Sequence, residues 1–403
     1  MMENRNWREY KFSEFVNINP FVSLKANEEY SFVEMKDLED GNKYCFPKIK
    51  KIKGGGSKFQ NGDTLFARIT PCLENGKICQ VKGLENNLGF GSTEFYVFRG
   101  REEISDTEFV YYLSRWNDVR DHAEINLDGT SGRQRVPKAS FDDLIIQMPE
   151  LPEQKAIASV LSSLDDKIEL LHQQNQTLEA LAETLFRKWF VEEAKEDWEV
   201  LPLCEIAEVK NGKSFKSSDF TDNDFNSYEV VKMGHIERGG GLKLNPKKDF
   251  VSREMDVEKW ILNKGDIIMA MTDMKDNVVI LGVPAMIDKD DHYVLNQRVA
   301  RIYLKDNSKL ISNYLLYIQL NNKDFIAELQ TKANSGVQVN LSTEAIKESE
   351  ILIPPFKLQE EFGHKIIDLY SKIEINREQI QTLTQLRDTL LPKLMSGEVR
   401  VKM

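Results

Sequence analysis

The feature that most constrains this chain is internal self-similarity. Gly62-Asp63-Thr64-Leu65-Phe66-Ala67 recurs as Gly265-Asp266-Ile267-Ile268-Met269-Ala270, 203 residues later. Ser131-Gly132-x-Gln134 recurs as Ser335-Gly336-x-Gln338 at an offset of 204. Pro149, followed five residues on by Gln154, recurs as Pro354 and Gln359 at an offset of 205. Trp7 has a looser counterpart in Trp198, 191 residues on. Each match is weak alone. Three in one order, drifting by one residue each, point to duplication of a unit far longer than a solenoid repeat. A chain of 403 residues built this way holds two unequal copies of one globular domain plus one helix.

The reading divides the chain into a first head (1–149), a first helix segment (150–197), a second head (198–350) and a second helix segment (351–403). The heads alternate short β-like runs with turn residues, as at Thr64–Ile69, Phe95–Phe98, Asp266–Met271 and Arg298–Tyr303. Helical patches at Asp106–Trp116 and Ser312–Leu320 interrupt them, so the fold class is α+β. Gly54-Gly55-Gly56 and Gly239-Gly240-Gly241 read as turns that need positive φ.

In the first helix segment apolar residues recur in alternating steps of four and three: Ile157, Leu161, Leu164, Ile168, Leu171, Asn175, Leu178, Ala182, Leu185, Trp189. The second segment gives Phe362, Ile366, Leu369, Ile373, Asn376, Ile380, Leu383, Arg387, Leu390, Leu394, with Pro392 and Gly397 marking its end. A heptad seam sustained this long predicts a coiled coil; two amphipathic helices packing separately on their own heads are the alternative. Within one chain the pair would run antiparallel, with a pseudo-twofold axis relating the copies. Positions i and j then face each other when i + j − 205 equals about 346, the value set by the first seam's midpoint. This places Asn175 opposite Asn376. Such a pair penalises slipped registers, or else marks an imperfect, wet layer. A helix of ~35 residues spans about 50 Å, more than the roughly 34 Å of one DNA turn. It would act as a ruler between two unlike heads.

Composition narrows the class. With 54 Lys and Arg against 65 Asp and Glu the net charge is −11, which argues against a generally basic nucleic-acid coat but not against local basic surfaces. The densest acidic excess lies in residues 151–197, with 5 basic against 10 acidic residues. That surface is expected to face solvent or basic patches on partners, not DNA. No apolar run reaches the ~18 residues of a membrane span, and the N-terminal stretch shows no signal core. Cys45, Cys72, Cys79 and Cys204 are scattered, as expected of reduced thiols in a cytoplasmic protein.

The segments that follow each head carry a family resemblance. They read Ile145-Ile146-x-Met148-Pro149-x-Leu151-Pro152-Glu153-Gln154-Lys155-Ala156-Ile157 and Ile351-Leu352-Ile353-Pro354-Pro355-Phe356-x-Leu358-Gln359-Glu360. With Leu390-Leu391-Pro392-Lys393-Leu394-Met395-Ser396-Gly397-Glu398-Val399 at the end, they resemble the specificity (S) subunits of Type I restriction-modification enzymes. The resemblance covers nearly the whole chain. It implies two target-recognition domains, each reading half of a bipartite, asymmetric double-stranded DNA site, with antiparallel spacer helices setting the gap. It also implies docking of two methyltransferase (M) subunits, to which restriction (R) subunits add. No cofactor is expected on this chain; S-adenosylmethionine, ATP and magnesium would bind those partners. In keeping, Pro354-Pro355-Phe356 lacks the preceding Asn or Asp of an adenine methyltransferase, and no Walker or HExxH motif occurs.

DNA contact needs cations for phosphates and forked or amide side chains for base edges. The first candidate run is Lys43 to Lys58, with Lys50, Lys51, Lys53 and Lys58 favoured, and no acid between Asp40 and Asp63. A solvated lysine loop is the alternative. Arg133, Gln134 and Arg135 form a second group, whose counterpart holds Lys332 and Gln338; the shared Ser, Gly and Gln look architectural, the arginines variable. Beyond the Gly-Asp strand lie Arg68, Asn75 and Lys77, answered in the second copy by Lys275 and Asn277. Neutral loop drift would give the same pattern. Three other readings remain: a protein-binding coiled-coil scaffold, a free-standing enzyme, and a specificity subunit of another restriction class.

Overall fold

The computed structural model describes residues 7–130, 132–195, 198–222, 225–274, 278–335 and 338–402, and the side chains of Ser335 and Gln338 lie outside that description. The chain forms two compact units, Met1–Leu171 with Gln379–Met403, and His172–Glu378. Neither ends where a head ends. Each unit is one head plus part of both long helices, Leu151–Arg187 and Phe356–Met395. Among the described residues no helix is long and apolar enough to cross a membrane, and all four cysteines are free.

In the first unit, Arg8–Lys11 pairs antiparallel with Ile145–Met148 and so closes the head just before the helix starts. Thr64–Ala67 lies inside a five-stranded sheet beside Phe95–Gly100. A second, four-stranded sheet runs Ile49–Ile52, Glu29–Val33, Leu88–Gly91, Lys58–Gln60. The second unit repeats the plan. Glu199–Pro202 pairs with Glu350–Ile353, and Ile267–Ala270 pairs with Val299–Leu304. It adds a small sheet of Thr272–Met274, Gln338–Asn340 and Asn334–Ser335. The helical patches appear as Thr107–Arg115 and Asn313–Leu320, capped by Asp106 and Ser312 side chains that accept from backbone N–H groups.

The repeated motifs are structural. Asp63 is buried and pairs bidentately with Arg99 at 2.6 and 2.7 Å, while accepting from the Gln60 N–H. Asp266 pairs with Arg301 through a single contact, from Nη2 at 2.8 Å, and likewise accepts from the Asn263 N–H. The glycine before each, at φ 89° and 87°, makes the turn that aims the carboxylate inward. Gln154 ties helix to head: its amide donates to the Ile104 and Pro149 carbonyls and accepts from the Asp106 N–H, each at 2.9 Å. Gln359 repeats every bond, to Lys309, Pro354 and Ile311.

The long helices form an antiparallel coiled coil. In the first unit the start of the first helix (Ile157, Leu161) shares a core with the end of the second (Leu394, Met395). In the second unit the end of the first (Ala182, Phe186) meets the start of the second (Phe362, Ile366). Ile157, Leu161, Ile168, Leu171, Asn175, Phe362, Ile366, Ile373, Asn376 and Ile380 are buried; Leu164, Leu178, Leu185, Leu369, Leu383 and Leu390 are half-buried. Asp165, Phe186 and Phe190 take the deepest positions one residue after the expected Leu164, Leu185 and Trp189. An α-helix drifts from a strict heptad, and at the end of the first helix Phe190 packs 4.6 Å from Phe362 of the second helix and 6.2 Å from Trp198. The second helix also runs through Pro392 to Met395, so this proline sits in the last turn and Gly397 (φ 71°) makes the stop.

The register is the one that the spacing predicts. Asn376 Nδ2 donates to Asn175 Oδ1 at 2.8 Å, in a buried layer. Asp165 faces Arg387 at 2.7 Å, both nearly inaccessible. Tyr112 and the Gly41 carbonyl complete that network, so the seam's charged layer is also bonded to the first head. Replacing one asparagine by leucine leaves the other amide stranded, and Asn175→Leu or Asn376→Leu should lower stability by about 1–3 kcal/mol. The double leucine variant should melt above the wild type, because the pair specifies register at a cost in stability. Thermal midpoints of the three variants test this; a double variant less stable than either single one would show that the pair stabilises on balance.

Candidate nucleic-acid interface

The sequence candidates fall into three groups. The lysine run is divided: Lys50 and Lys51 lie on the edge strand Ile49–Ile52, Lys53 follows it, and Lys58 opens the strand Lys58–Gln60 at the opposite edge of the same sheet. It has no acid of its own, but folding brings acids to it. Lys50 pairs with Glu85 at 2.6 Å. Lys51 lies 3.8 Å over the Phe32 ring and 3.6 Å from Glu34. Lys43 is buried against Glu108 and Ser162. Lys53 and Lys58 are half-buried and have no ion-pair partner among the described residues. Gly56, at φ 125°, is required for packing, since a Cβ there would meet the Gly91 carbonyl; Gly54 and Gly55 are exposed. In the second head Gly239, Gly240 and Gly241 all have positive φ, as turns demand.

The second group is the tip of the first head. Two elements converge on it: the chain leaving Thr64–Ala67 and the segment 132–136. They are stitched by Thr70 N–H to the Gln134 carbonyl, Gln134 N–H to Thr70 Oγ1, and Val136 N–H to the Arg68 carbonyl. The stitching brings Arg68 and Arg135 to one carboxylate, Glu94. Arg135 makes the fork, with Nε at 2.9 Å and Nη2 at 2.7 Å. Arg68 stands 3.7 Å away with its guanidinium 5.1 Å from the Tyr96 ring centroid. The Arg135 bond, opposed in part by burial, holds Glu94 below the usual carboxylate range. Arg133 is exposed and has no side-chain partner among the described residues. Asn75 is exposed on the next turn. Lys77, expected as a DNA contact, instead donates to the Met35 and Leu38 carbonyls at 2.8 and 2.9 Å and holds a loop in place. Nothing in the local sequence signals those carbonyls, because they come from a segment some 40 residues away.

The third group lies in the second head. Lys332 pairs with Glu328 one turn back at 2.8 Å. Lys275 and Asn277 lie outside the described residues, as does the Gln338 side chain. Asp273, just before them, accepts from the N–H groups of Val279, Ile280 and Leu281 and so closes the base of that loop. The Ser-Gly-x-Gln match is one residue out of step with the fold. Ladder pairing sets Ile69 opposite Arg135 and Thr272 opposite Asn340, so Arg135 corresponds to Asn340, and Arg133 to Gln338. The framework role therefore belongs to the backbone at these positions and not to the shared glutamine.

Sequence reasoning passed over Glu94, the residue that orders the arginines. Its folded pKa is depressed, so the stabilisation is complete above the unfolded pKa and fades as pH falls through the folded one. Glu94→Gln should lower the unfolding midpoint at neutral pH, with the gap closing in acid. Midpoints measured across that range check it; a gap independent of pH would show that the charge is not what matters.

Comparison with known proteins identifies the family. A family model described as the Type I restriction modification DNA specificity domain matches residues 4–180 and 195–385. The EcoAI specificity subunit of Escherichia coli is 31% identical, over 94% of this chain and 78% of its own length. The HindI specificity subunit of Haemophilus influenzae is 25% identical, over 98% of this chain and all of its own. The crystal structure of the Type I S subunit from M. genitalium shares the fold, with a TM-score of 0.53 and 18% identity, covering 100% of this chain and 98% of that one. The chain, with two such domains on an antiparallel pair of long helices, belongs to the Type I restriction-modification specificity subunits, whose role is DNA recognition.

Proposed function

We propose that each head reads one half of an asymmetric, bipartite site in double-stranded DNA. On this reading the chain docks two methyltransferase subunits, to which restriction subunits add, in the cytoplasm. It supplies recognition and no catalytic step; S-adenosylmethionine, ATP and magnesium act on the partners. The observation that carries the reading is the contrast between framework and tip. The two buried glutamines repeat bond for bond and each buried aspartate keeps an arginine partner, Arg99 for Asp63 and Arg301 for Asp266, whereas the exposed polar groups differ. Reading two different half-sites needs this combination: one mount, two sets of readers.

In the first head the readers are Arg68, Arg133 and Arg135, with Gln134 and Asn75 beside them. Lys50, Lys51, Lys53 and Lys58 serve the phosphates. In the second they are Gln338, with Lys275, Asn277 and Lys332. Arginine at these places suits DNA because its planar fork matches the guanine edge, and ordering by Glu94 removes part of the side-chain entropy cost of contact. The acidic first-helix segment faces away from DNA, toward solvent or the methyltransferases. With both heads near neutral overall, partner subunits supply much of the clamp.

Two measurements test this. Methylation mapping of DNA from cells carrying the chain with its neighbouring methyltransferase should give one two-part motif. Arg133→Glu or Arg68→Glu should alter one half of it and leave the other, each lost base contact removing roughly tenfold or more in discrimination; an unaltered motif would favour a protein-binding scaffold. The isolated chain should bind the site weakly at physiological salt and gain affinity with the methyltransferase. Tight binding by the chain alone, or methyl transfer by it without a partner, would overturn the reading.

A further inference from the structure

The second head lacks the arginine pair of the first. Met271 stands in the place of Arg68, and Asn340 in that of Arg135. The equivalence is fixed by the backbone. Phe95 pairs with Ala67, and Val299 with Ala270. Arg68 N–H donates to the Glu94 carbonyl at 3.0 Å, and Met271 N–H to the Arg298 carbonyl at 2.9 Å. Val136 N–H donates to the Arg68 carbonyl at 2.8 Å, and Leu341 N–H to the Met271 carbonyl at 2.8 Å. Arg298 therefore occupies the position of Glu94. The local charge is inverted: an acid serving two arginines in one head, an arginine beside neutral residues in the other.

Arg298 is exposed and makes no side-chain hydrogen bond or ion pair among the described residues. The nearest acid along the paired strand, Asp273, spends its carboxylate on backbone N–H groups. The base of Arg298 is rigid. Its carbonyl accepts from Met271, and the N–H of the preceding Gln297 donates to the Lys213 carbonyl at 2.8 Å. Its φ of 67° is left-handed, a conformation that costs a residue with a Cβ and recurs at functional positions. An arginine with a pinned backbone and a head unpaired among the described residues, in a chain of net charge −11, is poised for an outside acceptor.

We propose that Arg298 is the base-reading arginine of the second head, its guanidinium fork donating to the edge of a guanine in that head's half-site. The assignment rests on the reading that both heads bind DNA, and it adds a residue that sequence analysis did not single out.

The test uses the chain assembled with its methyltransferase partner, with methylated positions read by sequencing. Arg298→Ala should relax the motif at a single position in one half-site, lowering discrimination there roughly tenfold or more. The other half-site should remain intact, which also reports that the variant is folded and assembled. Arg298→Lys keeps the charge but loses the fork, and should restore affinity without restoring discrimination. An unchanged motif in Arg298→Ala overturns the assignment. So does uniform weakening over all sequences that lysine repairs, since that marks a phosphate contact. A wild-type complex without a two-part motif would sink the DNA reading itself, and the assignment with it.

Discussion

The fold depends on the pairing of two helices that belong to one chain. Apolar seams would hold them together in several registers. The polar layers choose among those: Asn175 with Asn376, and Asp165 with Arg387. A slip by one layer would bury an amide or a charge against leucine and isoleucine, at a cost of several kcal/mol for the charge. Affinity between the helices comes from the apolar seam, and alignment from two weak or costly polar contacts. The Arg387 layer does more, since Tyr112 and Gly41 bond to it. Helix register and the seating of the first head are thus one decision.

The same economy appears in the heads. Repeated residues spend their hydrogen-bonding capacity inside the protein. Gln154 and Gln359 satisfy two carbonyls and one N–H each, and Asp63 and Asp266 are matched by arginine. What repeats is therefore what builds the mount. The groups whose donors have no partner among the described residues, such as Arg133 and Arg298, sit where the copies differ. On the proposed reading, altering a few tip residues changes the target while the buried bonds beneath stay as they are.

The tip of the first head shows why buried and exposed charge must be read together. On the proposed reading, Glu94 reduces the net charge that DNA would feel, yet it holds Arg68 and Arg135 within one small region. Orientation is gained at the expense of attraction. In the second head a lone arginine with a constrained backbone stands at that point.

Much of this was legible in the order of residues. The heptad spacing fixed two long helices, and simple arithmetic on the repeat placed Asn175 against Asn376, because helix geometry is local and periodic. Gly-Asp and the Pro-to-Gln spacing marked the mount, because each depends on a short stretch of backbone. The charged tip was not legible in the same way. The lysine run lacks nearby acids in sequence, but Glu34, Glu85 and Glu108 reach it across strands. Lys77 reads as a free cation until two carbonyls from a distant loop enclose it. The Ser-Gly-x-Gln match aligned letters that the ladder sets one step apart. Sequence alone determined the duplication, the helices and their register, since these follow from periodicity along the chain. Which cations are engaged and which are free was decided only by the tertiary fold, because an ion pair depends on distance in space and strand pairing joins residues that spacing cannot relate.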